Sequence, residues 1–117
     1  MTHHEAIQYL EIPSSDLAAS KQFFSDVFGW RFTDYGDGYC AFSSETMEGG
    51  FYLADQVSLT DRGACLIVFY SETLERTQDK LTHAGAQISQ NIFSFPGGRR
   101  FHFIEPGGSE FAVWSDR

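Results

Sequence analysis

Positive charge is scarce in this chain: eight Lys and Arg stand against sixteen Asp and Glu, a net charge of -8 over 117 residues. Such a balance repels a phosphate backbone unless the bases gather on one face. The only adjacent pair is Arg99-Arg100, so no nucleic-acid partner is expected. Cysteine is also sparse. Cys40 and Cys65 sit in apolar, strand-like surroundings with no CxxC or Cys/His spacing, which argues against a zinc ribbon or redox pair. They read as buried free thiols, in keeping with a reducing cytoplasm. No apolar run approaches the ~20 residues of a membrane span, and "MTHHEAIQYLEIP" lacks the regions of a signal peptide. A soluble, cytoplasmic protein without membrane contact is expected. His3-His4 is too short for a metal tract and belongs with a frayed terminus. A glycine-rich phosphate loop with Lys and a nucleophile elbow are both missing, and "PGGRR" at 96–100 has no helix after it to complete an anion site.

What the chain does have is phenylalanine, twelve in all, within a 42% hydrophobic composition that suits one core. It also says the same thing twice. Alternating or apolar runs at Ala6–Ile12, Trp30–Phe32, Gly38–Phe42 and Phe51–Ala54 read as strands, with a helix from Leu17 capped at Gly29 after the first. The second half repeats the order with strands Cys65–Tyr70, Ala86–Ile92, Arg99–Glu105 and Glu110–Trp114, and a helix from Thr73 ending near Gly85. Asp16 to Gly29 and Glu72 to Gly85 each span thirteen residues, and Gly49-Gly50, read as a turn, matches Gly107-Gly108 at an offset of 58. The expectation is a single α+β domain over 1–117. Two pseudo-symmetric βαβββ modules, about 5–58 and 62–116, form a curved mixed sheet around a trough, with helices outside.

"YLEIPSSDLAASKQFFSDVFGWRF" and "EPGGSEFAVW" resemble the vicinal oxygen chelate superfamily, which holds glyoxalase I, extradiol dioxygenases, fosfomycin-resistance enzymes and bleomycin-resistance proteins. The similarity spans the chain and is closest to short glyoxalase-like proteins related to lactoylglutathione lyase. The resemblance implies paired modules, often a homodimer, and in catalytic members a divalent metal held from the first and last strand of each module. Those places fall here at Tyr9, Leu66, Ala54 and Ala112. Two alanines and a leucine supply no donor, so no metal or other cofactor is expected at the usual position.

Strand parity then sorts the remaining candidates. If Tyr9 faces the trough, so does Glu11; Val68 and Tyr70 join Leu66, Tyr52 joins Ala54, and Glu110 and Trp114 flank Ala112. Phe101 and Phe103 take the core side, which leaves Arg100 and His102 for the trough. Glu11 and His102 are the candidate catalytic groups, as general base or polar anchor. Tyr9, Tyr52, Leu66, Val68, Tyr70, Arg100, Glu110, Ala112 and Trp114 are the candidate ligand wall. Glu11 and Arg100 also read as members of an ion pair or interstrand hydrogen bond, and the aromatic residues as sheet packing.

The expected function is metal-independent binding of a small, partly apolar or aromatic molecule. The alternative is a lyase, isomerase or dioxygenase whose metal sits at a displaced site of His102, Glu11 and Glu110. A third reading is a regulatory or structural homodimer that retains no ligand.

Overall fold

The computed structural model describes residues 3–117. The first module runs β1 (Tyr9–Ser14), α1 (Leu17–Phe28), β2 (Arg31–Asp34), β3 (Tyr39–Ser43) and β4 (Glu48–Leu53). A linker with one 3-10 turn, Thr60–Arg62, leads to β5 (Ile67–Tyr70), α2 (Leu74–His83), β6 (Gln87–Phe95), β7 (Gly98–Ile104) and β8 (Glu110–Ser115). Each module makes a four-stranded sheet, ordered β1-β4-β3-β2 and β5-β8-β7-β6. The first and last strand of each are parallel, and the other pairs antiparallel. This is the expected α+β pair of βαβββ units.

Local chemistry sets the helix ends. Asp16 caps α1 by accepting from the Ala19 N–H at 3.1 Å, and Gly29 closes it in the left-handed region at φ 70. The strand-to-helix corners repeat faithfully: Ser14 bonds Ser20 at 2.7 Å in one module, and Ser71 bonds Thr77 at 2.7 Å in the other. Phenylalanines then join the modules. The Phe24 ring on α1 lies 5.3 Å from Phe51 of the first sheet and 5.2 Å from Phe111 of the second, while Phe28 stacks on Phe69 at 4.2 Å. Each buried ring of this kind contributes roughly 1.5–3 kcal/mol, so the halves share one core.

The reading of Gly49-Gly50 as a turn is corrected. Both lie inside β4, and the turn is Ser44–Met47, closed by the Ser44 hydroxyl bonding the Met47 carbonyl. A Cβ on Gly49 would collide with the Leu10 carbonyl and the Phe42 ring, and one on Gly50 with the Tyr39 phenol. Close approach, not a reversal of chain, demands glycine here. Cys65 is likewise exposed rather than buried, because it precedes β5; Cys40 is buried.

One buried carboxylate ties the modules together. Glu105, 1% exposed, accepts from the Ser20 hydroxyl and the Gly107 N–H, both at 2.7 Å, and from the Ser109 N–H at 3.3 Å. Burial pushes its pKa up, against the pull of those donors. Glu105→Ala strands the two buried backbone N–H groups of Gly107 and Ser109, while Ser20 keeps Ser14, so urea unfolding is expected to show a loss of about 2–4 kcal/mol with an unchanged slope.

Candidate functional site

The strand registers place the candidate residues in rows on the face of each sheet opposite the phenylalanine core. On the first sheet Glu11, Gly50, Ala41 and Thr33 lie side by side, flanked by the row through Tyr52 and Tyr39. The Tyr39 ring fills the space over Gly50, and its hydroxyl donates to Glu11 at 3.0 Å and bonds the Tyr9 hydroxyl at 2.6 Å. Burial, then these two partners, hold the Tyr39 phenol above its ordinary range. Tyr39 was missed in the sequence because nothing in "GDGYCAF" marks a phenol reaching across two strands.

On the second sheet Tyr70, Trp114, Arg100 and Phe93 form one row, and Val68, Ala112 and His102 the next. Arg100 donates to Nε2 of His102 at 3.0 Å. A guanidinium only donates, so Nε2 accepts and Nδ1 carries the proton, which goes to Glu110 at 2.9 Å. The other oxygen of Glu110 accepts from both the N–H and the hydroxyl of Thr60 at 2.9 Å. The linker is thereby pinned to the start of β8, where the Glu110 N–H also bonds the Ser58 carbonyl at 2.8 Å. Solvent exposure of Glu110 after its turn is the usual expectation; here His102 is only 3% and Glu110 8% exposed, and Ala112 is fully covered. The linker carries no sequence signal for this role, since Thr60 is one hydroxyl among several.

The candidate residues therefore divide. His102 and Glu110 meet, while Glu11 bonds Tyr39 instead, so the displaced set of His102, Glu11 and Glu110 does not form. Among the described residues no three His, Cys, Asp or Glu side chains gather as a metal-holding group. The register also replaces Ala54 with Gly50 as the partner of Ala112, both being third in their strands; Ala54 lies beyond β4, bonded to the Ser14 carbonyl. Tyr9, Leu66, Gly50 and Ala112 offer one phenol and no imidazole, carboxylate or thiolate. They do not fit a divalent metal. Arg99 and Arg100 diverge as strand neighbours do: Arg99 pairs with Glu75, leaving no basic patch.

An apolar hollow of about 480 Å³ opens where the modules meet at β1 and β5. Ile12, Phe28, Trp30 and Phe42 form its inner wall, Met47 and Glu45 come from the β3–β4 turn, and β5 lines it along its length, from Ile67 through Val68 and Phe69 to Tyr70. Ile67 and Phe69 face the core, while Val68 and Tyr70, on the other face of the strand, are 41% and 45% exposed at the rim. Val68 and Tyr70 are the sequence candidates that reach it.

Burial opposes the charge on Glu110, but Thr60 and His102 outweigh it, and the carboxyl is held below the usual range. A depressed folded pKa contributes stability that is present above the unfolded value, about 4.3, and lost as pH falls through the folded one. Glu110→Gln removes that contribution. The difference in unfolding free energy between wild type and variant, measured by urea titration, is expected to narrow steadily from pH 6 to pH 3.

Comparison with curated proteins gives no match. Several solved structures share the fold. A glyoxalase/bleomycin resistance protein/dioxygenase family enzyme from Burkholderia phytofirmans PsJN superposes with a TM-score of 0.77 at 14% identity, covering 94% of this chain and 98% of its own. The genomically encoded fosfomycin resistance protein of Listeria monocytogenes gives 0.77 at 13% identity, covering 97% and 94%. Lactoylglutathione lyase from Agrobacterium tumefaciens gives 0.72 at 16%, covering 95% and 93%. A family model described as Glyoxalase/Bleomycin resistance protein/Dioxygenase superfamily matches residues 6–113, nearly the whole of both modules, and the chain belongs to that superfamily.

Proposed function

We propose that this protein binds a small, partly apolar or aromatic molecule at the seam of its two modules, and does so without a metal. The hollow between β1 and β5 carries the reading. Its volume of about 480 Å³ suits a small ligand, its inner wall is mostly aromatic, and Val68 and Tyr70 stand exposed at its rim beside the open face. Catalysis by His102 is the weaker reading: Arg100 occupies one ring nitrogen and Glu110 the other, and the ring is 3% exposed. Elemental analysis of purified protein is expected to find only substoichiometric divalent metal.

A second copy of the chain completes the proposal. Size scaling gives a 13.2 kDa monomer about 6,400 Å² of accessible surface. This chain exposes 7240 Å², a surplus of about 800 Å², one partner's share of a standard interface. β2 and β6, the outer strands of the two sheets, also each keep one unpaired edge. Light scattering is expected to report twice the chain mass. The exposed free thiol of Cys65 suits a reducing cytoplasm, where we place the protein.

The binding proposal is tested with a panel of flat aromatic compounds and isothermal titration calorimetry. Val68→Glu sets a charge in the mouth of the hollow at an already exposed position. It is expected to weaken every binder about tenfold or more while the circular dichroism spectrum stays unchanged. Undiminished affinity in the folded variant would remove the hollow as the site.

A further inference from the structure

We infer that the ligand carries a negative charge and that Arg100 is its anchor: the site takes an aromatic or apolar ring compound bearing a carboxylate. This rests on the proposed binding at the seam and names the class of molecule bound. Tyr70, Trp114 and Arg100 stand in one row across β5, β8 and β7. Strand spacing sets Arg100 roughly 10 Å from Tyr70, the wall residue shared with the hollow. The Tyr70 and Trp114 rings meet edge-on at 5.2 Å. The guanidinium of Arg100 lies over Phe93 at 5.5 Å and Phe95 at 5.8 Å, so its plane is fixed by packing.

The donors of Arg100 are mostly unspent. One nitrogen bonds His102, and Nε is buried without a partner. Among the described residues no carboxylate lies within 4.0 Å of it. Asp116, beyond Tyr70, takes that residue's hydroxyl at 2.6 Å instead. Arg31, Arg62 and Arg76 also lack ion pairs, but they are exposed and hydrated, whereas Arg100 is partly buried. Water therefore solvates this charge incompletely, and Glu110 is linked to it only through His102. A guanidinium held in a fixed plane with free N–H groups matches the two oxygens of a carboxylate. A ring against Trp114 with an acidic arm to Arg100 fits the spacing.

The test is calorimetric titration of aryl carboxylates, indole-3-acetate and 1-naphthoate, against their neutral amides. The acids are expected to bind about tenfold tighter or more than the amides, as a charge-assisted hydrogen bond allows. Arg100→Gln should erase the preference, and Arg100→Lys, which keeps the charge without the fork, should retain part of it. Thermal unfolding checks that both variants are folded. If acids and amides bind wild type equally and Val68→Glu weakens both, the anion inference falls and binding at the seam stands; Arg100 is then left to a carboxylate of a second copy. An acid preference that survives in folded Arg100→Gln overturns the anchor. If no compound of either kind binds, both proposals fall.

Discussion

The Glu105 carboxylate, closed in by a serine hydroxyl and two backbone amides, sets how the modules sit against each other. Its donors come from both: Ser20 from α1, Gly107 and Ser109 from the turn before β8. A carboxylate at 1% exposure is tolerable only when its oxygens are so engaged, and the turn is thus drawn onto the corner between β1 and α1. Ser15 adds its hydroxyl to the Gly107 carbonyl at 2.9 Å. The second module has the same corner, Ser71 bonded to Thr77, but among the described residues no carboxylate bonds to it. The facing turn, Ser44–Met47, satisfies its own polar groups through Ser44. The hollow is the space left on the flank that lacks the tie.

The same economy governs the face of the second sheet. Glu110 could have met solvent; instead Thr60 and His102 take its oxygens, and the linker settles over the start of β8. Ala112, at a position where the resemblance implies a metal ligand, stands between Val68 and His102 and is fully covered. Losing donors and losing access go together at this point. A one-residue restoration such as an acid at Ala112 would have to displace packed neighbours as well as supply an oxygen.

Much of this was legible in the chain because strand parity is a strict rule. Phe101, Phe103, Phe111 and Val113 are all buried in the core, which forces Arg100, His102, Glu110 and Trp114 to the other face. What misled was glycine. A pair of glycines reads as a turn in sequence, yet in β4 the reason for it is a phenol and a ring pressing from opposite sides, and those come from distant residues. Matching the two glycine pairs puts Ala54 opposite Ala112, whereas the strand register puts Gly50 there. Glu105 had a signal, a carboxylate directly before Pro-Gly-Gly, but its Ser20 partner is 85 residues away and only the packed fold brings them together. Thr60 and the linker had no signal at all.

Backbone symmetry survives between the modules where charge symmetry does not. Tyr39 and Arg100 hold matching places, each beside the fifth residue of its neighbouring last strand, Tyr52 or Trp114. In the first sheet that place sends a hydroxyl to Glu11, so the face is phenolic and acidic. In the second it holds a cation over the Phe93 and Phe95 rings of β6, whose side-chain bond among the described residues goes to a histidine already committed to Glu110. In a low-dielectric surround an unpaired charge is costly and draws an opposite charge more strongly than it would in water. The chain is acidic overall, yet its partly buried, unneutralised guanidinium lies on the open face that adjoins the hollow. A molecule lying across Tyr70 and Trp114 is therefore oriented by that one charge, its negative end toward Arg100, whatever the shape of its ring.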